Sequence, residues 1–346
     1  MEDKIKVGIL GATGMVGQKF IDLLRYHPWF EVAEVAASDT SKGKKYSERM
    51  RKNWKMAKPI PKNVAGLIIK GCDEKLSSKV LFSGLDSSVA GKIEEFYAKQ
   101  GYIVISNSKN HRMDKDVPLI VPEINADHLG LLKYQKSAGK IITNPNCSTI
   151  GMVLALAPLE KKFGIKKITA TTLQALSGAG YPASLSIDIE DNVIPHIFGE
   201  EEKMETEPLK IFGKLSNGKI KNASFKISAS CTRVNVTDGH TECVAFSLGR
   251  KVSLKDIKKT LREFNPLKNL KLPSSPKKPI ILTEDENRPQ PKHDRCASSG
   301  MAVVVGRLRK CSVLDYKMTI LSHNTVRGAA GGTILIAELL KAKGLI

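Results

Sequence analysis

The stretch Ile5-Lys-Val-Gly-Ile-Leu-Gly-Ala-Thr-Gly-Met-Val-Gly17 decides how this chain begins to fold. Its first six residues have the pattern of a buried strand, and the glycines at positions 11, 14 and 17 lead into a periodic apolar run typical of a helix. The spacing G-x-x-G-x-x-G is a weak signal on its own. A second strand pattern at Glu31–Ala37 follows at the distance expected within a βαβ unit. Together the two patterns indicate the first βαβ unit of a dinucleotide-binding domain.

Each glycine of this turn has a separate expected task. Gly11 allows the tight turn, Gly14 lets the backbone approach a pyrophosphate, and Gly17 permits close contact between helix and strand. The N-terminus of the helix then faces the phosphates, because its free N–H groups favour anions.

The alternation of strands and helices continues beyond this entry. Strand patterns lie at Val64–Ile69, Val80–Gly84, Ile103–Ser106 and Leu119–Val121, and Val89–Gln100 has the periodicity of a helix between two of them. Such alternation predicts an α/β fold with a Rossmann-type, doubly wound parallel sheet.

From Lys166 onward the pattern changes to longer β-prone stretches with few helices between them. A second, α+β domain dominated by an antiparallel sheet is the natural interpretation. The predicted strands are Ile168–Leu173, Phe225–Ala229, Cys243–Leu248, Met301–Leu308 and Tyr316–Leu321.

Length and composition favour a two-domain enzyme of ordinary solubility. At 346 residues the chain exceeds the size at which one core usually stops growing. No apolar run approaches the roughly 20 residues that a membrane span requires. The N-terminal residues lead straight into the first strand without the pattern of a secretory signal, so we expect a cytoplasmic protein.

The formal net charge of +20 raises the question of a polyanionic partner. The lysines occur in small groups from end to end, and only 5% of the residues are aromatic, so no nucleic-acid-binding pattern emerges. We therefore interpret the charge as a solvated surface that attracts anionic ligands, and we do not expect nucleic acid as a partner.

The six cysteines are widely scattered, which favours reduced thiols over a disulfide framework. Cys231, His240 and Cys243 are the best metal-ligand candidates, but they lack the four ligands in paired short spacings that structural zinc requires. We expect no metal site.

Cys147 stands in the most informative short motif, Asn144-Pro-Asn-Cys-Ser-Thr149. Lys140–Thr143 is a predicted strand, and a helical pattern begins near Ser148, so the cysteine lies at a strand-to-helix junction. Backbone N–H groups at a helix N-terminus favour an anion and can lower the pKa of a thiol. The motif therefore indicates a nucleophile, although a free cysteine is in general more often a buried core residue.

A nucleophilic thiol needs a proton shuttle and groups that hold its substrate. The segment Arg233-Val-Asn-Val-Thr-Asp-Gly-His240 offers a guanidinium and an imidazole, and the pKa of imidazole suits acid–base work near neutrality. Gly239 turns the chain, so the two side chains converge only if a loop delivers the histidine. Taken alone, a histidine in such a segment is more often a structural residue than a catalytic one.

These motifs together resemble the aspartate-semialdehyde dehydrogenases of the archaeal and fungal branch. The resemblance runs from about residue 4 to the C-terminus, in the order of that family. Its distinctive segments are Gly11–Gly17, Ser106–Met113, Asn144–Thr149, Leu173–Gly180, Glu207–Lys210, Arg233–His240 and His323–Gly331.

The resemblance implies roles for the catalytic and substrate-binding residues. It makes Cys147 the nucleophile, His240 the acid–base group and Gln174 a positioning group for the reacting acyl carbon. The implied substrate contacts are Arg233 for the carboxylate, Glu207 for the α-ammonium, and Lys210 and Arg112 for the phosphate, with Ser108 or Asn110. Three of these residues also have a structural interpretation. Glu207 and Lys210 could form a surface pair on a helix, and Arg112 could be a solvated loop residue.

The resemblance also implies NADP(H) as the cofactor. Its implied contacts are Gly11, Thr13, Gly14, Met15 and Val16 in the glycine loop, Ser38 and Ser41 at the 2′-phosphate, and Ser177, Gly178 and Asn324 near the nicotinamide. Asp39 complicates the preference for NADP over NAD, because an acid at this point often binds the ribose hydroxyl of NAD.

The implied reaction is the NADPH-dependent reductive dephosphorylation of L-4-aspartyl phosphate to L-aspartate 4-semialdehyde, through a thioacyl group on cysteine. It serves the biosynthesis of lysine, diaminopimelate, threonine, methionine and isoleucine. The alternative on the same scaffold is a malonyl-CoA or succinyl-CoA reductase, which needs neither an amino-group anchor nor a compact phosphate pocket.

The family also implies the layout of the chain. The expected NADP-binding domain comprises residues 1–146 together with 325–346. The expected catalytic and dimerisation domain comprises residues 147–324 and resembles the C-terminal domain of glyceraldehyde-3-phosphate dehydrogenase. A homodimer or homotetramer is the expected assembly.

Overall fold

A computed structural model of the chain describes residues 3–179 and 189–346. Gly180, the last residue of the motif that begins at Leu173, lies outside the described residues.

The first sheet is parallel and has six strands in the order β3-β2-β1-β4-β5-β6, the order of a Rossmann fold. Its strands are β1 (Ile5–Leu10), β2 (Phe30–Ala37), β3 (Lys70–Gly71), β4 (Val80–Ser83), β5 (Ile103–Ser106) and β6 (Lys140–Thr143). The strand order reverses between β1 and β4, so the crevice at their carboxyl ends is the expected ligand site.

Helices accompany this sheet as the alternating pattern predicts. They are α1 (Met15–Leu23), α2 (Tyr46–Met50), α3 (Lys62–Ala65), α4 (Ser87–Lys99) and α5 (Pro122–Asn125), with a 3₁₀ segment at Ala126–Tyr134. The C-terminal helix α10 (Gly331–Ala342) follows a π-helical turn at Val326–Ala330 and returns to this part of the molecule. Its residues Ile334–Leu340 are buried in one cluster with β1, β2 and β4, which makes α10 part of the first core.

The second sheet has six strands in the order β10-β7-β11-β14-β13-β12. Its strands are β7 (Ile165–Gln174), β10 (Lys226–Arg233), β11 (His240–Leu248), β12 (Ile280–Leu282), β13 (Val303–Lys310) and β14 (Tyr316–Ser322), and β8 (Lys214–Ser216) with β9 (Lys219–Lys221) forms a separate hairpin. The sheet is mixed, because β10 pairs parallel with β7 and β12 pairs parallel with β13, while the other neighbours are antiparallel.

One face of the second sheet is covered by α6 (Cys147–Phe163), which is buried along most of its length. Such all-round burial fits its nearly continuous apolar sequence. The remaining helices here are α7 (Glu200–Ile211), α8 (Leu254–Glu263) and α9 (Pro291–Asp294), with 3₁₀ turns at Leu176–Ala179 and Ala297–Gly300. Because β6 of the first sheet ends at Thr143 and α6 begins at Cys147, the predicted nucleophile lies where the chain passes from the first sheet to the helix that covers the second.

Two predicted strands of the first sheet are wrong. Val64–Ile69 overlaps α3, and the strand that pairs with β2 comes later, at Lys70–Gly71. Leu119–Val121 contributes only an isolated bridge from Leu119 to Thr143. Leu119–Val121 is buried throughout, and Val64 and Ile69 are buried at the two ends of the other segment. Short apolar runs of this kind do not distinguish a strand from other structure packed on the core.

Among the helices of the described residues, none combines the length and the apolar character needed to cross a membrane.

Candidate active site

Cys147 and His240 form the centre of the site. The Sγ atom lies 3.2 Å from Nε2 of His240, which is fully buried at the start of β11. The N–H of Ala175 donates to Nδ1 at 3.0 Å, so in the neutral ring the proton sits on Nε2 and points at the sulfur. Burial lowers the pKa of His240 to about 3. The neutral imidazole is therefore the resting form.

The helix start does not lower the pKa of the thiol as the sequence led us to expect. Burial raises the pKa of Cys147 to about 12, and the nearby Glu200 carboxylate acts in the same direction. The N–H groups of Ser148 and Thr149 donate to Oδ1 of Asn146, which caps α6, so these donors are already engaged. The local pattern indicated the helix N-terminus but not the cap that occupies it.

Cations around the sulfur oppose the effect of burial. Arg112, Arg233 and Lys203 each act to lower the pKa of Cys147. All three come from different elements: the loop after β5, the end of β10 and the first turn of α7. This convergence of positive charge makes the pocket suitable for an anionic ligand.

Glu200, which the sequence did not point to, connects three side chains of the site. Its carboxylate accepts hydrogen bonds from Nδ2 of Asn146 at 2.9 and 3.1 Å, from Nε2 of Gln174 at 3.2 Å and from Nζ of Lys203 at 2.6 Å. Burial alone would raise the pKa of Glu200, but Lys203 and these hydrogen bonds outweigh it and lower the pKa. A charged carboxylate thus lies beside the nucleophile.

Glu207 and Lys210 lie seven residues after Glu200 and Lys203 on α7, and their polar atoms contact other parts of the protein. The three protons of Lys210 Nζ go to the carbonyl oxygens of Arg112, Asp114 and Val117 at 2.7–2.8 Å, which leaves none for a phosphate. Glu207 accepts from Nη1 of Arg112 at 2.9 Å and from the N–H of Asn146 at 2.7 Å. Both side chains are buried, so the surface-pair alternative is wrong. Their polar atoms have protein partners, and the predicted substrate roles stay a prediction.

Arg112 is a buried site residue and not a solvated loop residue. Its guanidinium is fixed by Glu207 and by the carbonyl of Asn107 at 2.7 Å. Ser108 donates to Asn110 at 2.5 Å, and Asn110 donates to the Ser87 carbonyl on α4. These two side chains therefore hold the loop that carries Arg112.

The turn after β7 brings the remaining predicted residues to the site. Nη1 of Arg233 donates to the Ala175 carbonyl at 2.8 Å, and a Cβ added at Gly178 would lie 2.9 Å from the same nitrogen. Asn324 donates to Ser177 Oγ at 2.8 Å and accepts from the N–H of Gly239 at 2.8 Å.

The glycine loop has the close packing that the sequence predicts. Gly11 has φ +73°, and a Cβ at Gly17 would lie 2.3 Å from the Gly11 carbonyl oxygen. The N-cap of α1 is Gly14, which has no side chain to occupy the helix N-terminus, and the first turn contains no acid. Thr13, Met15 and Val16 are partly exposed around this opening. The loop therefore fits a dinucleotide pyrophosphate.

Beyond β2, one of the two predicted 2′-phosphate residues contacts a guanidinium that the sequence did not point to. Ser38 Oγ lies 3.1 Å from Thr40 Oγ1 on the exposed turn, where Asp39 also faces solvent. Ser41 is fully buried, and its Oγ accepts from Nε of Arg49 at 2.9 Å. Ser41 thus positions Arg49 and does not itself face a ligand.

Comparisons with known proteins agree with this geometry. Residues 6–132 match the family described as semialdehyde dehydrogenase, NAD binding domain, and residues 156–327 match semialdehyde dehydrogenase, dimerisation domain. Aspartate-semialdehyde dehydrogenase from Archaeoglobus fulgidus is 47% identical, over 99% of this chain and 100% of that protein. The enzyme from Candida albicans is 45% identical, over 99% of both. The chain belongs to the aspartate-semialdehyde dehydrogenase family.

Solved structures of aspartate-semialdehyde dehydrogenases share the whole fold. The structure from Candida albicans, described as containing NADP, has a TM-score of 0.91 and 43% identity, and the match covers 99% of this chain and 100% of that one. The Vibrio cholerae enzyme II, described as complexed with ASA, has a TM-score of 0.79 and 26% identity over 98% of this chain and 99% of that one.

We expect the Cys147 thiol to ionise only at high pH in the free protein. Its alkylation by iodoacetamide should rise about tenfold per pH unit through pH 7–10, because thiolate is the reactive form and the pKa is raised. Peptide mass spectrometry of the labelled Cys147 peptide, with Cys147→Ser as the control, measures this rate. A plateau near neutral pH would contradict it.

Proposed function

We propose that this chain catalyses the NADPH-dependent reductive dephosphorylation of L-4-aspartyl phosphate to L-aspartate 4-semialdehyde, in the biosynthesis of lysine, diaminopimelate, threonine, methionine and isoleucine. The observation that carries the proposal is the contact of 3.2 Å between Cys147 Sγ and His240 Nε2, at a helix start surrounded by Arg112, Arg233 and Lys203. A thiol nucleophile within a ring of cations suits a substrate with a phosphate and a carboxylate.

Cys147 attacks the acyl carbon, a C–S bond forms, and the bond to phosphate breaks. Bound NADPH supplies the hydride that reduces the thioacyl group. The thiol proton leaves with the departing phosphate. His240 serves as the acid–base group through its Nε2–H, which donates to the sulfur and would stabilise the oxygen that becomes charged when hydride is added. Collapse of the thiohemiacetal breaks the C–S bond and releases the aldehyde. Gln174, held by Glu200, positions the acyl group.

The substrate contacts that we propose differ from the sequence expectation at α7. Glu200 binds the α-ammonium, and Lys203 binds the phosphate together with Arg112. Lys203 is supported by its first-turn position, its partial exposure and its effect on the thiol. Arg233 binds the carboxylate, and Ser108 with Asn110 supports the phosphate loop.

NADP(H) binds along the glycine loop, where Gly11, Thr13, Gly14, Met15 and Val16 hold its pyrophosphate. Ser177, Gly178 and Asn324 lie on the nicotinamide side, near His240. At the 2′-phosphate, Ser38 acts with Arg49, whose orientation Ser41 fixes. A guanidinium at this point favours NADP, and the outward Asp39 leaves room for the phosphate.

The division of the chain follows the two cores. Residues 1–146 with 325–346 form the NADP-binding domain, and residues 147–324 form the catalytic and dimerisation domain. The first buried cluster joins the parallel sheet to α10, and the second joins α6 to the mixed sheet. Leu267, Leu272 and Met301 of the second domain also pack against the first cluster, at the contact between domains.

The chain assembles through the uncovered face of the second sheet. This face is exposed and carries small polar side chains suited to close contact with a second copy: Thr169, Thr171, Ser228, Ser230 and Cys243. The match to a dimerisation domain over residues 156–327 supports a homodimer, or a tetramer built from dimers. The six free cysteines support the reducing cytoplasm as the compartment.

The activity test is the reverse reaction with purified protein. L-Aspartate semialdehyde should reduce NADP only when inorganic phosphate is present, and Cys147→Ala should abolish turnover while NADP still binds. The same preparations are assayed with malonyl-CoA and succinyl-CoA. Robust reduction of either thioester, with no phosphate-dependent activity on the semialdehyde, would replace the proposal with a coenzyme A thioester reductase.

Two matched substitutions on α7 test the assignment of its lysines. Lys203→Met should raise the KM for phosphate about tenfold to a hundredfold, because a charge-assisted contact is lost. Lys210→Met should lower the free energy of unfolding by about 3 kcal/mol or more, because three buried carbonyls lose their donor. Steady-state kinetics give the KM for phosphate of both variants, and urea unfolding gives their free energies of unfolding. A larger effect of Lys210→Met on the phosphate KM would restore the sequence expectation.

Arg49→Ala should weaken NADP binding about tenfold or more and leave NAD binding nearly unchanged, because only NADP carries the 2′-phosphate. Isothermal titration calorimetry of both cofactors, without substrate, gives the two dissociation constants. Arg51→Ala, an exposed neighbour of the same charge, is the control. Equal losses for NADP and NAD would place Arg49 away from the 2′-phosphate.

A further inference from the structure

The face of the second sheet beneath α6 carries polar side chains in two successive cross-strand rows. The upper row holds site residues, with Arg233 beside Gln174 and His240 beside Ser322. In the next row Thr172 lies between Cys231 and Glu242. Residues two apart on a strand point to the same face, so Glu242 lies directly behind His240 on β11.

Glu242 is an unexplained acid in this second row. Its side chain is fully buried, and within residues 3–179 and 189–346 neither carboxylate oxygen has a hydrogen-bond partner. The Oγ atoms of Ser322 and Ser148 are also buried and without a partner in the same described ranges. Burial raises the pKa of Glu242 well above its usual value, which favours the protonated carboxyl group over the carboxylate.

These orphaned groups lie around one part of α6. A Cβ added at Gly151 would lie 2.6 Å from Ser322 Oγ and 3.2 Å from Glu242 Oε1, so both oxygens approach the same point of the helix. Ser148 precedes Gly151 by one helical turn. Buried polar groups in native proteins that lack a protein partner are usually satisfied by ordered water.

We propose that Glu242, Ser322 and Ser148 form a binding site for ordered internal water, and that this water fixes the first turn of α6 against the end of β11. A water molecule both donates and accepts, which matches a carboxyl group and two hydroxyls. Ser148 follows Cys147, and Ser322 pairs with His240. The hydrated cluster therefore sets the distance between sulfur and imidazole, and Glu242 is a positioning residue. Its effect on turnover rests on the proposed function of this pair.

Two variants of nearly equal volume test the site. Glu242→Gln keeps a donor and an acceptor and should retain kcat within about twofold. Glu242→Met keeps the volume without hydrogen bonding and should lower kcat about tenfold to a hundredfold, because the reacting groups lose alignment. The dissociation constant for NADP should stay the same in both. A high-resolution crystal structure of the unmodified protein should contain water bonded to the Glu242 carboxyl group.

A second readout does not depend on the substrate. Alkylation of Cys147 by iodoacetamide should slow about tenfold in Glu242→Met and stay near normal in Glu242→Gln, because the His240 hydrogen bond supports the thiolate. If the proposed substrate is wrong, the ratio of the alkylation rates of the two variants still tests the positioning role of Glu242. Should Glu242→Met fail to fold, Ser322→Ala provides the same comparison, with an expected loss of about threefold or more in the alkylation rate.

Three results would overturn the proposal. Glu242→Met that keeps both kcat and the alkylation rate would mean that the carboxyl group is dispensable. Glu242→Gln as impaired as Glu242→Met would require an ionisable group in place of a water ligand. A crystal structure with no water between Glu242 and Ser322 would remove the site itself.

Discussion

Asn146 is the residue on which the arrangement of the site depends. Its Oδ1 caps α6, its Nδ2 donates to Glu200, and its backbone N–H donates to Glu207. Glu207 in turn holds Arg112, which comes from the loop after β5. The start of the catalytic helix is therefore fixed by α7 and, through Glu207, by the loop after β5, and Cys147 takes its position from the residue before it. Removing one polar partner from such a buried network costs more than the partner contributes in isolation.

Helix α7 shows how one motif serves two purposes in a single element. The pattern of an acid followed three residues later by a lysine occurs at Glu200–Lys203 and again at Glu207–Lys210. Seven residues correspond to nearly two turns, so both pairs face the same side of the helix. The first pair reaches the nucleophile, and the second joins α7 to the Arg112 loop. Spacing alone does not distinguish them, because the difference lies in contacts with residues about 50 to 100 positions away.

The parts of the fold that were predicted correctly are those with local causes. The β1 strand, the glycine turn and the start of α6 follow from apolar pattern, glycine spacing and a helix cap within a few residues. Cys147 followed from its position at a helix start, whereas Gln174 and the specific roles of His240 and Arg233 came from a resemblance. The structure places these four residues together. The sequence did not identify Glu200, Arg49 or Glu242, because their contacts depend on cross-strand register and on how loops close in the fold. The misplaced third strand has the same origin: Lys70–Gly71 is a strand only because β2 lies beside it.

The electrostatics of Cys147 connect the basic composition to the chemistry. Burial and Glu200 make ionisation of the thiol costly in the free protein, while Arg112, Arg233 and Lys203 reduce that cost. An anionic substrate that binds these cations cancels part of their effect on the sulfur. The thiolate is therefore best formed as the acyl carbon is attacked, when its charge passes to the departing phosphate held by the same cations. The site then stabilises negative charge wherever it moves along the reaction, and it need not maintain a reactive thiolate between turnovers. His240, neutral and aimed through Nε2 at the sulfur, supplies the hydrogen bond that this transfer requires.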